Sequence, residues 1–157
     1  MSPDERLTLF CYDGSEESRR ALASTTGLLA STRAVVLTVW QPLTARLVES
    51  GGFGVFALDD ETEVDEQERT AAQEAADDGA RRAREIGLDA TARIEESDGA
   101  VWQTIVAVAD ELDVGLIVCG TRGRGTVRTA LLGSTSHAVL QHSARPVLVA
   151  PEPRRDR

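Results

Sequence analysis

The sequence contains no lysine: all 17 of its basic residues are arginine. That absence closes several routes to function. A Walker A loop needs a Gly-Lys pair to reach the terminal phosphates of a nucleotide. Schiff-base chemistry needs a lysine amine, protein-kinase chemistry uses a lysine on a strand, and the phosphorylation site of a receiver domain works with one. Cysteine is scarce as well. Cys11 and Cys119 are the only two, too few for a disulfide framework, and both lie in apolar runs where a free thiol behaves as a small hydrophobe. Histidine is limited to His137 and His142. A general base needs a nucleophile within reach and an orienting partner; neither is visible, so no catalytic residue is assigned. No Cys/His cluster exists to hold a metal. No apolar run approaches the roughly 20 residues of a membrane helix. The acidic start, Met1-Ser-Pro-Asp-Glu5, lacks the basic opening and apolar stretch of a signal peptide. The expectation is a cytoplasmic protein with no membrane partner.

What is present suits one globular domain. The chain has 157 residues, 41% hydrophobic and 27% charged, and shows no internal repeat or second-domain boundary. The expected domain spans 1–157, with its core at about 5–151 and a frayed tail at 152–157. A net charge of −9 argues against nucleic acid as a partner. The charge is uneven: residues 1–119 hold 10 Arg against 24 acidic residues, whereas residues 120–157 hold 7 Arg against 2. The basic end includes a Gly- and Arg-rich stretch suited to an anion, although Arg154, Arg155 and Arg157 belong to the tail.

Strand and helix signals alternate along the chain. Leu7 to Tyr12 reads as a first strand, followed by the turn signal Asp13-Gly14 and the N-cap candidate Ser15. The helix after it runs to about Ala30, with Ala21, Leu22, Leu28 and Leu29 on its buried face and Thr25 on the same stripe. Ala34 to Trp40 is a second strand. Residues 41–62 read as an irregular loop, glycine-rich at Ser50 to Phe56. Glu63 to Ile86 is a long helix with an alanine-rich inner face, so it is expected to pack closely on a sheet; Gly87 follows as its C-terminal glycine. Ala90 to Glu96 is a third strand with Ile94 inside. Val101, Ile105, Val108 and Leu112 mark a helix by their spacing. Val114 to Cys119 is a fourth strand, Ser134 to about Gln141 a last helix, and Pro146 to Ala150 a last strand. Such alternation predicts a parallel sheet covered by helices on both faces.

The densest signal is Gly120-Thr-Arg-Gly123-Arg-Gly125, followed by Gly133-Ser134. A buried strand, a Gly- and Arg-rich loop and a helix opening on Gly-Ser-Thr-Ser together make a phosphate cradle. Glycine lets backbone N–H groups approach an anion, and a helix N-terminus adds free donors and a favourable dipole. In open α/β sheets ligands sit beyond the carboxyl ends of the strands, where strand order reverses. Asp13 ends the first strand and Gly120 the fourth. If both serve one site, those strands are neighbours and the order is 3-2-1-4-5. Cys11 and Cys119 then lie on the same strand pair, either as a reduced buried pair, as the rarity of cytosolic disulfides favours, or as a redox switch.

These residues resemble the universal stress protein family in its ATP-binding branch, over nearly the whole chain. Tyr12-Asp-Gly-Ser15 is similar to the family's opening. Leu116 to Gly125 is similar to its fourth strand and phosphate loop, and Ser143 to Pro151 to its last strand. Gly120, Gly123, Gly133 and Ser134 reproduce the family's ATP-binding spacing. The resemblance implies a Rossmann-like, adenine-nucleotide hydrolase-like sheet of five parallel strands. It also implies a homodimer paired through the last strand (Val147, Leu148, Val149). Asp13 would bind the nucleoside end and the backbone near Val39 would meet adenine. Gly120, Arg122, Gly123, Gly133, Ser134, Thr135 and Ser136 would surround the ribose and phosphates of ATP, with magnesium arriving on the phosphate oxygens. Arg122 stands where histidine is frequent, and Gly115 where aspartate is. The implied role is nucleotide-dependent regulation in stress tolerance, with at most weak ATPase activity. The rivals are a dimeric interaction module of the same fold that binds no nucleotide, and a slow ATP hydrolase.

Overall fold

The computed structural model describes residues 6–29, 32–49, 51, 61–121 and 132–151. Five strands form one sheet: β1 (Thr8–Cys11), β2 (Arg33–Trp40), β3 (Asp89–Glu96), β4 (Leu116–Gly120) and β5 (Val147–Ala150). Their order is β3-β2-β1-β4-β5, and every neighbouring pair is parallel. This is the predicted 3-2-1-4-5 sheet. Among the described residues, five α-helices connect or flank the strands: α1 (Glu16–Thr25), α2 (Leu43–Glu49), α3 (Glu61–Glu85), α4 (Val101–Glu111) and α5 (Ser134–His142). Among the described residues, no helix is long and apolar enough to cross a membrane.

Period-two alternation along the strands builds two cores. On one face Leu9, Leu37, Ile117 and Cys119 pack with Ile105, Val108 and Ala109 of α4 and Val139 of α5. On the other, Phe10, Tyr12, Val36 and Val118 pack with Leu22 of α1 and with Ala80 and Ala83 of α3. The inner face of α3 is built from alanine, as expected, with Ala72, Ala75, Ala76, Ala80 and Ala83 all buried.

Helix α1 starts where the sequence places it. The Ser15 hydroxyl accepts the Ser18 N–H at 3.2 Å, and Gly14 takes the positive φ (76°) that the turn before it needs. The far end differs from expectation. The α-helix stops at Thr25 and a 3₁₀ turn covers Thr26–Leu28. The Thr25 and Thr26 hydroxyls donate to the carbonyls of Ala21 (2.6 Å) and Leu22 (2.8 Å), and Gly27 follows at once. Such back-bonding bends a helix, and the tighter turn swings Leu28 into solvent, 72% exposed. Leu29 still packs against the core.

The segment read as irregular at 41–62 contains α2. Pro42 opens it, its carbonyl accepting the Arg46 N–H at 3.1 Å, and Asp65 of α3 accepts the Leu43 N–H at 2.8 Å. A donor at the start of one helix is thus satisfied by the side chain of another. Gly115 allows a close approach: a Cβ there would lie 2.8 Å from Arg6 Cβ. Its N–H donates to the Leu7 carbonyl at 2.9 Å.

Candidate functional site

Order reverses between β1 and β4, and beyond their carboxyl ends lies a cavity of about 860 Å³. That volume is within the range of small-molecule sites. Seven of the nine predicted binding residues line it: Asp13, Val39, Gly120, Gly133, Ser134, Thr135 and Ser136. The other two, Arg122 and Gly123, lie outside the described residues.

Each of the seven is positioned by local chemistry. Asp13 follows β1 in an Asx turn, its Oδ1 accepting the Ser15 N–H at 2.9 Å. The residue therefore shapes the turn and borders the cavity at once. Val39 offers backbone. The Leu37 carbonyl accepts the Tyr12 N–H at 2.8 Å on the β1 side, and the Trp40 carbonyl accepts the Ser97 N–H at 2.9 Å on the β3 side. Strand alternation then directs the N–H and carbonyl of Val39 to the β1 side, past the point where β1 has ended. Gly120 closes β4, opposite Ala150 of β5.

The start of α5 is the cavity's donor-rich wall. Gly133 is its N-cap, with φ −67° and ψ 155° and no side-chain cap. The first intrahelical bond runs from the His137 N–H to the Gly133 carbonyl at 2.9 Å. The N–H groups of Ser134, Thr135 and Ser136 precede that ladder, so they are the donors a helix N-terminus offers to an anion. Two bonds fix this wall to the sheet. The Ser136 hydroxyl donates to the Gly120 carbonyl at 2.7 Å, and the Gly133 N–H donates to the Thr121 carbonyl at 2.6 Å. Ser136 is buried, and its hydroxyl proton is committed to holding α5 against β4. Ser134 is exposed and Thr135 half-buried.

The cavity has a further wall that sequence reasoning missed. Arg46 of α2 and Glu68 of α3 line it and pair at 2.9 Å. Gln41 lines it too, its amide bonding Glu49 (3.0 Å) and the Gly99 carbonyl (2.7 Å). The i, i+4 pair Leu43 and Leu47 after Pro42 was the available signal for α2. Nothing in sequence spacing announces a contact between Arg46 and Glu68. Trp40 and His137 also border the cavity, whereas His142 stacks on Trp102 with ring centroids 4.4 Å apart. Among the described residues no group of three His, Cys, Asp or Glu side chains could hold a metal.

The sequence matches the model of the universal stress protein family over residues 6–151. The chain belongs to the universal stress protein family. Solved structures agree on the fold. The universal stress protein UspA from Lactobacillus plantarum is 19% identical with a TM-score of 0.74, covering 94% of this chain and 99% of that one. A universal stress protein from Archaeoglobus fulgidus, solved in complex with dAMP, is 19% identical with a TM-score of 0.56, covering 94% and 98%. A family protein from Arabidopsis thaliana, solved with AMP bound, is 16% identical with a TM-score of 0.61, covering 94% and 92%. Comparison with curated proteins gives no match.

Proposed function

We propose that this universal stress protein binds ATP and acts as a cytoplasmic, homodimeric, nucleotide-dependent regulator in stress tolerance. The observation that carries this reading is the convergence on one cavity of three unlike elements: the uncapped N–H groups of Ser134 to Ser136, the Asp13 carboxylate, and the backbone edge at Val39. They fit the three parts of a nucleotide. Phosphate suits the α5 N-terminus, ribose hydroxyls suit a carboxylate acceptor, and adenine suits a paired backbone donor and acceptor. The relatives solved with AMP and dAMP support an adenine nucleotide.

Retention suits this site better than turnover. A lysine-free cradle holds phosphate through N–H groups and hydroxyls, with Arg122 as the added cation. Magnesium would be held by phosphate oxygens and water, since the described residues offer no ligand cluster. Ser136 is spent on the Gly120 carbonyl and so positions the donors rather than attacking anything.

Isothermal titration with ATP, and separately with AMP and cAMP, tests the proposal. Binding of ATP is expected, and no heat at millimolar ATP would defeat it. Gly133→Val adds bulk to the cradle at a backbone geometry any residue adopts. It is expected to weaken ATP at least about tenfold, a loss of about 1.4 kcal/mol, with an unchanged circular dichroism spectrum. An unaltered affinity would remove the α5 N-terminus from the site.

A further inference from the structure

Cys11 ends β1, and Cys119 is the penultimate residue of β4. The two strands pair with Leu9 opposite Ile117 and Phe10 opposite Val118, so the next residues, Cys11 and Cys119, face each other across the strand pair. Both side chains fall on the Leu9 and Ile117 face of the sheet, and their sulfurs lie 3.2 Å apart. Adjacent strands run about 4.7–4.9 Å apart, within the Cα separation of about 4.4–6.8 Å that a disulfide spans. The pair is not sealed away. Both residues line the cavity, and Cys11 is only partly buried. The crevice is therefore the side from which a molecule the size of a peroxide would approach it. No third cysteine exists to divert the product.

We propose that Cys11 and Cys119 are a dithiol modification site that a hydroperoxide converts to an intramolecular disulfide, tying β1 to β4 at the floor of the cavity. Cys11, the more accessible of the two, attacks one peroxide oxygen. The O–O bond breaks, an alcohol or water leaves with the thiol proton, and Cys11 becomes a sulfenic acid. Cys119 then attacks the Cys11 sulfur. The S–S bond forms, the S–O bond breaks, and the departing hydroxide takes the Cys119 proton as water. Two thiols lose two electrons, and the peroxide is reduced by the same two.

The surroundings set the pH dependence. The contact with Cys119, then burial, push the Cys11 thiol well above its usual range, and Asp13 adds to the effect. Among the described residues, the other charged or titratable groups bordering this cavity are Tyr12 beside Cys11, Arg46 on α2, Glu68 on α3 and His137 on α5, while α4 contributes apolar Val101 and Ile105. The thiolate is the nucleophile, so oxidation is expected to be slow at neutral pH and to accelerate as pH rises.

The proposal does not rest on nucleotide binding and is read on the ligand-free protein. The full chain is reduced, treated natively with hydrogen peroxide at pH 7 and pH 9, denatured, alkylated and weighed. The expected product is a monomer lighter by two hydrogens, with no alkylated thiol, a cross-linked peptide joining Cys11 to Cys119, faster formation at pH 9, and reversal by dithiothreitol. Cys119→Ser is expected to stop at a Cys11 sulfenic acid that a 1,3-dione traps. Two alkylatable thiols remaining in the wild-type chain after treatment at pH 9, oxygen added to either sulfur, or a disulfide between two chains would each overturn the proposal.

Discussion

Gly79 lies on the α3 face that meets the sheet, and the approach there is too close for a side chain. A Cβ at this position would stand 2.7 Å from Val36 Cγ1 and 2.9 Å from Tyr12 Cδ1. Neither neighbour can yield easily: Val36 is fully buried, and Tyr12 is buried with its hydroxyl bonded to Asp78 at 2.8 Å. Two effects oppose each other in Gly79→Ala. Helix propensity favours alanine by about 1 kcal/mol, while overpacking costs about 1–3 kcal/mol. Because the clash meets rigid core atoms rather than the end of a flexible chain, the clash wins, and a net loss of about 1 kcal/mol is expected. Gly27→Ala is the control. Nothing lies within 4 Å of a Cβ there, so the change is expected to be neutral or to stabilise by up to about 1 kcal/mol through the unfolded chain. Urea denaturation of the two variants checks the pair. Equal stability of both would mean that α3 does not sit on Val36 and Tyr12 as described.

At the scale of elements, Asp78 fastens α3 to α1 and to the end of β1. It accepts hydrogen bonds from Tyr12 Oη (2.8 Å), Arg82 Nε (2.8 Å) and Arg81 Nη2 (2.5 Å), and Arg19 Nε lies 3.7 Å away. Burial pulls its carboxyl upward, but the bonds from Arg82, Tyr12 and Arg81 outweigh it and hold the carboxyl at about 2, below its usual 3.8. A depressed folded value means that the cluster's contribution is complete above the unfolded value and is lost as pH falls through the folded one. Stability is therefore expected to decline between about pH 4 and pH 2. Asp78→Asn should lower stability at pH 7 by about 1–2 kcal/mol and make that acid decline shallower. The residual slope comes from Glu111 and Asp113, which Arg93 and Arg145 hold down. Denaturation curves from pH 7 to pH 2.5 check this, and parallel pH profiles for the two proteins would refute it. The elements themselves were legible where a periodic pattern ran long enough to bury a face, as in the alanines of α3, the i, i+4, i+7 positions of α4 and the apolar runs of β2 and β4. Element ends were legible where a cap supplied a signal, as at Ser15 and Gly87. They were not where side chains compete with the helix ladder, as Thr25 and Thr26 do. The short α2 hid because its N-terminal donor is satisfied by Asp65, 22 residues on. Of the cavity's lining, Asp13, Gly120 and Gly133 could be picked out from the sequence because strand ends and turn residues carry local signals. The Arg46–Glu68 wall was not, because it exists only once α2 and α3 are packed.

For the whole molecule, the two sheet edges differ in chemistry. The β3 edge is charged: Arg93 pairs with Glu95 at 2.6 Å and with Glu111 at 2.9 Å, the kind of edge that discourages strand pairing. The β5 edge is apolar, with Val147, Leu148 and Val149 all half-buried in the isolated chain. Its backbone faces are assigned by the bonds to β4. The Pro146 carbonyl accepts from Ile117 at 2.9 Å and the Ala150 carbonyl from Thr121 at 3.2 Å. Alternation then turns the N–H and carbonyl of Val147 and Val149 outward, to the open edge. Among the described residues no strand pairs with this edge, and an open apolar edge pairs readily with a second copy. If β5 pairs with its own image antiparallel, Val149→Pro removes one outward donor from the ladder. The same change should leave the monomer folded, because proline is tolerated on an edge strand when its missing N–H faces away from the sheet. Light scattering on the wild-type chain is expected to give about twice 16.8 kDa, and on Val149→Pro a mass near 16.8 kDa with unchanged circular dichroism. A wild-type monomer would refute the dimer, and a Val149→Pro dimer would move its interface away from β5.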